Sequence, residues 1–224
     1  MDKIASTLHP PPSLAGRPFA PTRTMSAVVG ELPAVCPVAV VAVSVAPGCI
    51  ASLRPFLLSL GRSRTAGGLP VAPGSLAVLV LAAEPGEALP VVEALAPDYP
   101  FPLRVEAAAS GTLTAVRRAT DWATVLAAPD SPVLLADART LAAPRWVYEN
   151  LVALRDGADL VSRRKGALAR LFFGLGEPIA LSGRARRAME KWALEGPVQP
   201  DAPWAGKTSP WRRPARSGLL AVSY

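Results

Sequence analysis

The stretch that decides the fold is PVLLADARTLAAPRWVYENLVALRDGADLVSR, residues 132–163. It begins with a short apolar run that ends at Asp137, passes through a helical pattern at 143–157, and finishes in a second short run, ADLVSRR (158–164). A continuous apolar run of this length is typical of a strand that is covered on both faces of a parallel sheet. The stretch therefore predicts a strand–helix–strand unit, with a carboxylate at the end of its first strand.

Three more strand–helix pairs precede this unit in the chain. Each consists of an apolar, valine- or leucine-rich run followed by a segment with apolar residues at helical spacing. Alternating units of this kind predict an α/β fold, in which helices flank a mostly parallel sheet and ligands bind beyond the carboxyl ends of the strands. The predicted strands are 38–45, 75–84 and 102–109, and the predicted helices are 49–64, 86–97 and 110–128.

The chain divides into three parts by composition. Residues 1–35 are rich in proline and lack periodicity, which predicts a flexible leader. Residues 36–190 carry the strand–helix pattern and form the predicted α/β domain, and 191–224 form a basic tail that contains proline and tryptophan. The uncharged stretch 32–53 is long enough to suggest a membrane-spanning helix, but its three prolines and its valine-rich centre favour a buried strand.

Charge and residue counts exclude several classes of function. The formal net charge is +7, and basic residues gather at 162–170, 183–191 and 211–217. Such clusters are most often solvated surface, and few aromatic residues are interleaved with them, so nucleic-acid binding is disfavoured. Peripheral membrane association through the basic C-terminal part stays open. With His9 as the only histidine and two cysteines, a His/Cys metal site and a Ser-His-Asp triad are excluded.

The predicted strand ends supply the candidate site residues. The first strand is followed by APGCIAS (46–52), which lacks the GxGxxG pattern of dinucleotide-binding folds. The second is followed by Glu84 and Glu87, which are either acceptors for a nucleobase or ribose, or solvated loop acids. Arg117, on the helix after the third strand, either faces phosphates or is a paired surface charge.

The fourth strand ends in Asp137-Ala138-Arg139. Two acids in the spacing Asp-x-Asp would let a divalent cation bridge protein carboxylates and the diphosphate of a nucleotide sugar. In this chain an arginine occupies the place of the second acid.

The stretch 132–163 resembles the segment of bacterial family 2 glycosyltransferases in which a strand reaches Asp-Ala-Asp. The matching residues are Asp137, Pro144, Trp146 and the run GADLV (157–161). AVRRATDWATVLAAPDS (115–131) resembles the preceding segment of that family. With the opening strand and its proline-containing loop, the resemblance covers roughly residues 37 to 185.

This resemblance implies a GT-A-like fold, a nucleotide-sugar donor, a divalent metal such as Mg or Mn, and a cytoplasmic location, at the inner face of the membrane if the basic part binds there. Asp137, Arg139, Glu84, Glu87 and Arg117 would then contact the donor, with Asp137 as the weak metal ligand. The chain departs from the family at several acids. Arg139 replaces the second acid, the expected Asn-Glu is missing from PGCIAS (47–52), and neither Glu190 nor Asp201 lies in a Glu-Asp context.

Arg139 admits two interpretations. In the first, its guanidinium replaces the cation and neutralises the diphosphate. In the second, the site has lost its function and Arg139 is only an exposed surface residue. Both disfavour strong metal binding, because a positive charge stands beside Asp137. The leading hypothesis is a glycosyltransferase-like protein that transfers sugar from a nucleoside diphosphate, with activity that is weak or lost. The alternative is a non-catalytic binding or scaffold protein that retains the fold, and the sequence assigns neither the acceptor nor the catalytic residues.

Overall fold

The four apolar runs of the sequence form the centre of the sheet in the computed structural model. They are β2 (Ala39–Val45), β3 (Leu76–Ala82), β4 (Leu103–Ala107) and β5 (Val133–Asp137). Every residue of β3 is buried, as expected for a strand with helices on both faces. The structure describes residues 26–29, 37–108, 112–126, 128, 130–162, 178–194 and 221–223.

Helices follow these strands where the periodicity predicts them. The chain turns through a 3-10 segment, Ile50–Ser52, before the first helix, and the proline predicted in that helix's first turns is Pro55. A proline there is tolerated because its missing N–H has no partner within the helix in any case. The helices are α1 (Leu53–Gly61), α2 (Pro85–Leu95), α3 (Thr112–Val125), α4 (Trp146–Arg155) and α5 (Gly183–Leu194).

Four short strands complete the sheet: β1 (Ser26–Val29), β6 (Leu160–Ser162), β7 (Ile179–Leu181) and β8 (Ala221–Ser223). The strand order is β1-β4-β3-β2-β5-β7-β6-β8. β2, β3, β4 and β5 are mutually parallel, while β1 and β7 run antiparallel to their neighbours. The predicted α/β class with a mostly parallel sheet is therefore confirmed.

Two hydrophobic cores lie on opposite faces of this sheet. On the first face α1, α2 and α4 cover residues such as Val41, Val78 and Leu134. On the second face α3 and the start of α5 cover residues such as Val40 and Leu79. Alternate residues of one strand thus enter different cores, which explains why the strands are apolar throughout.

The predicted ends of the α/β domain stay a prediction, although some of the outer residues belong to the sheet. Ser26–Val29, within the predicted leader 1–35, pairs with β4, and Ala221–Ser223, within the predicted tail 191–224, pairs with β6. α5 also continues past residue 190 to Leu194. The remaining residues of 1–35 and 195–220 lie outside the described residues.

The centre of the stretch that suggested a membrane span belongs to the sheet. Its valine-rich centre is β2, and among the described helices none combines the length and the apolar character needed to cross a bilayer.

A network of charged residues fixes the amino edge of the sheet, where β5 and β6 begin. The Asp159 carboxylate is buried and accepts hydrogen bonds from the Ser182 hydroxyl (2.7 Å) and from Nε and Nη2 of Arg184. Ser182 also caps α5, because its Oγ accepts the backbone N–H of Ala185 at 3.1 Å. A Cβ on Gly183 would lie 2.7 Å from the carbonyl oxygen of Asp130, so this close approach requires glycine.

Candidate functional site

The ends of β2 and β5 lie side by side at the carboxyl edge of the sheet. Ser44 is opposite Asp137 in the parallel pair, and the Ala138 N–H donates to the Ser44 carbonyl oxygen at 3.0 Å. β3 ends on the other side of β2, where Val45 is opposite Ala82. The edge is therefore ordered, from one side to the other, as the end of β3, the end of β2, and Asp137.

A cleft opens between the ends of β2 and β3, which we call the β2–β3 cleft. The space between its walls, together with open solvent at its mouth, is about 250 Å³. Gly48 turns the chain here with φ of 71°, a conformation that residues with a side chain rarely adopt. The cleft is lined by Val45, Ala46, Pro47, Gly48, Ile50, Ala82, Ala83, Glu84 and Glu87.

Glu84 and Glu87 form the polar part of this cleft. Glu84 is the residue that precedes α2, and its carboxylate makes no capping hydrogen bond. Glu87 lies in the first helical turn, and its N–H donates to the Glu84 carbonyl oxygen at 3.1 Å. Both side chains are exposed, so they are available to a ligand, while acids at a helix N-terminus also stabilise the helix.

Asp137 and Arg139 form a closed ion pair at the end of β5. The Arg139 backbone N–H and its Nε donate to Oδ1 of Asp137 at 2.8 and 2.9 Å, and Nη2 donates to Oδ2 at 2.7 Å. The Thr140 hydroxyl donates to the Asp137 carbonyl oxygen at 2.7 Å, which tightens the turn. The Asp137 side chain is 12% exposed and that of Arg139 is 52% exposed, so the carboxylate is shielded while the guanidinium reaches solvent.

This pairing sets the ionisation of both groups. Partial burial pushes the pKa of Asp137 upward, but the side-chain and backbone hydrogen bonds from Arg139, together with its charge, outweigh burial and hold the pKa below 3.8. The same bonds raise the pKa of Arg139 above its ordinary value. The pair is therefore fully ionised at neutral pH.

The Asp137 pKa gives a prediction about stability and pH. A carboxyl group whose pKa is lower in the folded state stabilises that state above its unfolded pKa of about 3.9, and the contribution disappears as pH falls through the folded value. We expect Asp137→Asn to lower the melting temperature at about pH 7, and the difference from the parent chain to shrink below about pH 4. Asp156→Asn, in the exposed pair with Arg155, should change melting little. A difference in melting temperature between Asp137→Asn and the parent chain that increased at acid pH would contradict this prediction.

The residues at this edge do not fit the divalent cation that the resemblance implies. Both oxygens of Asp137 are occupied by Arg139, whose positive charge would repel a cation. Within the described residues no three His, Cys, Asp or Glu side chains converge as a metal site would require. Asp137 as a ligand of Mg or Mn is therefore not supported by this geometry.

Arg117 lies apart from the other predicted site residues. It is an exposed residue of α3, which covers the second face of the sheet, whereas the lining of the β2–β3 cleft adjoins α1 and α2. No contact among the described residues joins Arg117 to Asp137 or Glu84, and its role in phosphate binding stays a prediction.

A second recess, of about 220 Å³ with the open solvent at its mouth, flanks the Asp137–Thr140 turn and was not predicted from the sequence. Its walls combine apolar side chains with polar surface: Phe56, Ala136 and Trp146 line it together with Thr140, and Leu141 in its lining is 67% exposed. The sequence feature that could have indicated it is LAAPRW (141–146), a largely apolar segment that begins four residues after the end of β5.

Comparison with known proteins identifies the fold. No family model matches the chain, and no curated protein matches it. Among solved structures it is similar to the mannosyltransferase PcManGT from Pyrobaculum calidifontis, in complex with GDP-Man and Mn²⁺, at 20% identity and a TM-score of 0.54. That match covers 88% of this chain and 57% of the mannosyltransferase, so the chain spans little more than half the length of that protein.

Two further solved structures have lower TM-scores. The glycosyltransferase GlyE of Streptococcus pneumoniae TIGR4 is 15% identical with a TM-score of 0.45, over 82% of this chain and 44% of GlyE. The 4-diphosphocytidyl-2C-methyl-D-erythritol synthase of Anaerococcus prevotii DSM 20548 is 13% identical with a TM-score of 0.49, over 82% and 86% of the two chains. Both likenesses are too distant to add to the fold assignment. From its sheet and its similarity to the mannosyltransferase, the chain has a GT-A-like fold of the nucleotide-sugar transferase type.

Proposed function

We propose that the chain binds a nucleoside-diphosphate sugar at the carboxyl edge of its sheet and acts as a glycosyltransferase-like protein of the family 2 type. The observation that supports this most directly is the position of the β2–β3 cleft beside Asp137 and Arg139. Ligands of open parallel sheets bind at this edge. The GT-A-like fold agrees with the proposal, and the mannosyltransferase of the same fold is in complex with GDP-Man.

The cleft suits the nucleoside part of such a donor. Pro47 and Ile50 offer apolar surface on which a flat base can pack, and the carboxylates of Glu84 and Glu87 can accept hydrogen bonds from a base or from ribose hydroxyls. The cleft is open to solvent. The diphosphate would extend out of it, across the end of β2, toward Arg139.

Binding can be tested by isothermal titration with UDP-glucose, GDP-mannose and dTDP-glucose. We expect at least one of them to bind, and Glu84→Ala to weaken it about tenfold, because a hydrogen bond to a charged group contributes about 1.5 kcal/mol. Glu93→Ala is the matched control, since Glu93 is an exposed acid of the same helix outside the cleft. Absence of binding by all three donors would overturn the proposal, and unchanged affinity in Glu84→Ala would remove the cleft from it.

The proposed transferase and a non-catalytic binding protein differ in one property. Only the transferase would release nucleoside diphosphate from the bound donor. The second candidate is favoured by the Asp137–Arg139 pair, because a carboxylate held by three hydrogen bonds is a poor general base. We expect slow release of nucleoside diphosphate from the bound donor if the chain is a transferase, and binding without release if it is a scaffold. The acceptor stays unassigned.

Membrane association and cytoplasmic location remain predictions. Most of the basic C-terminal part, 163–177 and 195–220, lies outside the described residues, and the third basic cluster, 211–217, is entirely within the second of these ranges.

A further inference from the structure

Arg139 presents two edges, and only one of them is engaged by Asp137. A guanidinium carries five N–H donors in a fixed plane. Nε and one Nη2 hydrogen are directed at the Asp137 oxygens. Three N–H groups remain, and two of them, one on Nη1 and one on Nη2, form the next edge of the plane. Among the described residues no other acceptor is recorded for them, and the side chain is 52% exposed. The fork formed by Nη1 and Nη2 therefore faces solvent in an orientation that the Asp137 bonds hold fixed.

The local charge at this edge matches that of a loaded metal site. In the Asp-x-Asp pattern two carboxylates and a divalent cation sum to zero. Here Asp137 and Arg139 also sum to zero, because exchanging the second acid for arginine adds two positive charges, the charge of the missing cation. A diphosphate approaching this edge would thus meet a neutral pair whose exposed part is the positive one.

The position of Arg139 relative to the cleft agrees with a role toward phosphates. Ser44, at the end of β2, lies opposite Asp137, and the residues that follow it, Val45 to Gly48, line the β2–β3 cleft. A nucleotide whose base occupied that cleft would reach the guanidinium with its phosphates. Planar, bidentate recognition of phosphate is the geometry for which arginine is suited.

We propose that Arg139, held in place by Asp137, takes over the task of the divalent cation and that this chain binds nucleoside diphosphates without metal. This inference rests on the proposed function, since it concerns the same donor. Asp137 acts in it as a positioning residue, whose carboxylate fixes the guanidinium and contacts no metal.

Titration of UDP, GDP and dTDP into the full chain, in EDTA and then in Mn²⁺, tests this. We expect affinities that agree within about threefold in the two conditions. Arg139→Ala should weaken binding in EDTA by about tenfold or more, and Arg139→Lys by nearly as much, because lysine cannot bond both Asp137 oxygens and a phosphate. Arg139→Asp, which restores the second acid, should bind weakly in EDTA and recover on addition of Mn²⁺.

Arg155→Ala is the matched control, because Arg155 also pairs with a nearby acid, Asp156, but is 76% exposed on α4. It should leave nucleotide affinity unchanged. Binding by the parent chain that rises about tenfold or more with Mn²⁺ would overturn the metal-free inference and leave the proposed function standing. Binding in EDTA that Arg139→Ala does not alter would remove Arg139 from the site. No binding of any nucleotide in either condition would overturn both proposals.

Discussion

Trp122→Ala is expected to destabilise the chain by about 3–5 kcal/mol, enough to lower the melting temperature by roughly 10 °C. Trp122 is fully buried on α3, where it packs in the second core against the face of β2 and β5. Truncation would leave a cavity that the sheet cannot close, because the strands are fixed by their neighbours on both sides.

Trp122→Phe separates the loss of packing from the cost of burying the indole N–H. The Nε1 of Trp122 is buried without a hydrogen-bond partner among the described residues, so removing this donor should offset part of the lost volume. We expect a cost below about 1.5 kcal/mol, measured as the free energy of unfolding in urea. Equal costs for the two substitutions would mean that the indole N–H has a partner, and a small cost for alanine would contradict the burial of Trp122.

The sheet's central strands could be predicted because burial on both faces leaves a clear signal. β2, β3 and β5 are apolar at almost every position, and each is followed by a segment of helical periodicity. β6 lies within the predicted short strand 158–164, but the other short strands, β1, β7 and β8, leave no such signal. β7, three residues long, is antiparallel to β5, and nothing in Ile179–Leu181 distinguishes its direction.

The candidate site was predictable in position but not in its contacts. Glu84 and Asp137 follow strands directly, so the topology of a parallel sheet brings them to one edge. The closed pair of Asp137 with Arg139 depends on a rotamer and a tight turn, which residue spacing alone does not fix. The role of Asp159 was equally hidden, because its partners Ser182 and Arg184 are more than twenty residues away.

Asp159→Ala is expected to cost about 2–4 kcal/mol, because it removes three hydrogen bonds to a buried carboxylate. This loss of stability should be smaller than that caused by breaking a fully buried ion pair. The Arg184 side chain is 58% exposed, so water can solvate its guanidinium once Asp159 is removed. Asp156→Ala is the matched control three residues away. Its carboxylate is 60% exposed, so its removal should change the free energy of unfolding by about 0.5 kcal/mol or less.

We call the hydrogen-bonded group of Asp159, Ser182 and Arg184 the Asp159 clamp. The regions that lose protection in Asp159→Ala show whether this clamp stabilises only its neighbours or the whole domain. Asp159 joins the start of β6 to the cap of α5, and β7, which lies between β6 and β5, connects this clamp to the strand that ends at Asp137. Amide hydrogen exchange of Asp159→Ala should therefore accelerate in β6, β7 and α5 while β2 and β3 keep their protection. Uniform acceleration across the sheet would show that Asp159 supports the whole domain. Unchanged exchange in β7 would show that the clamp is uncoupled from the edge where Asp137 and Arg139 meet the proposed nucleotide.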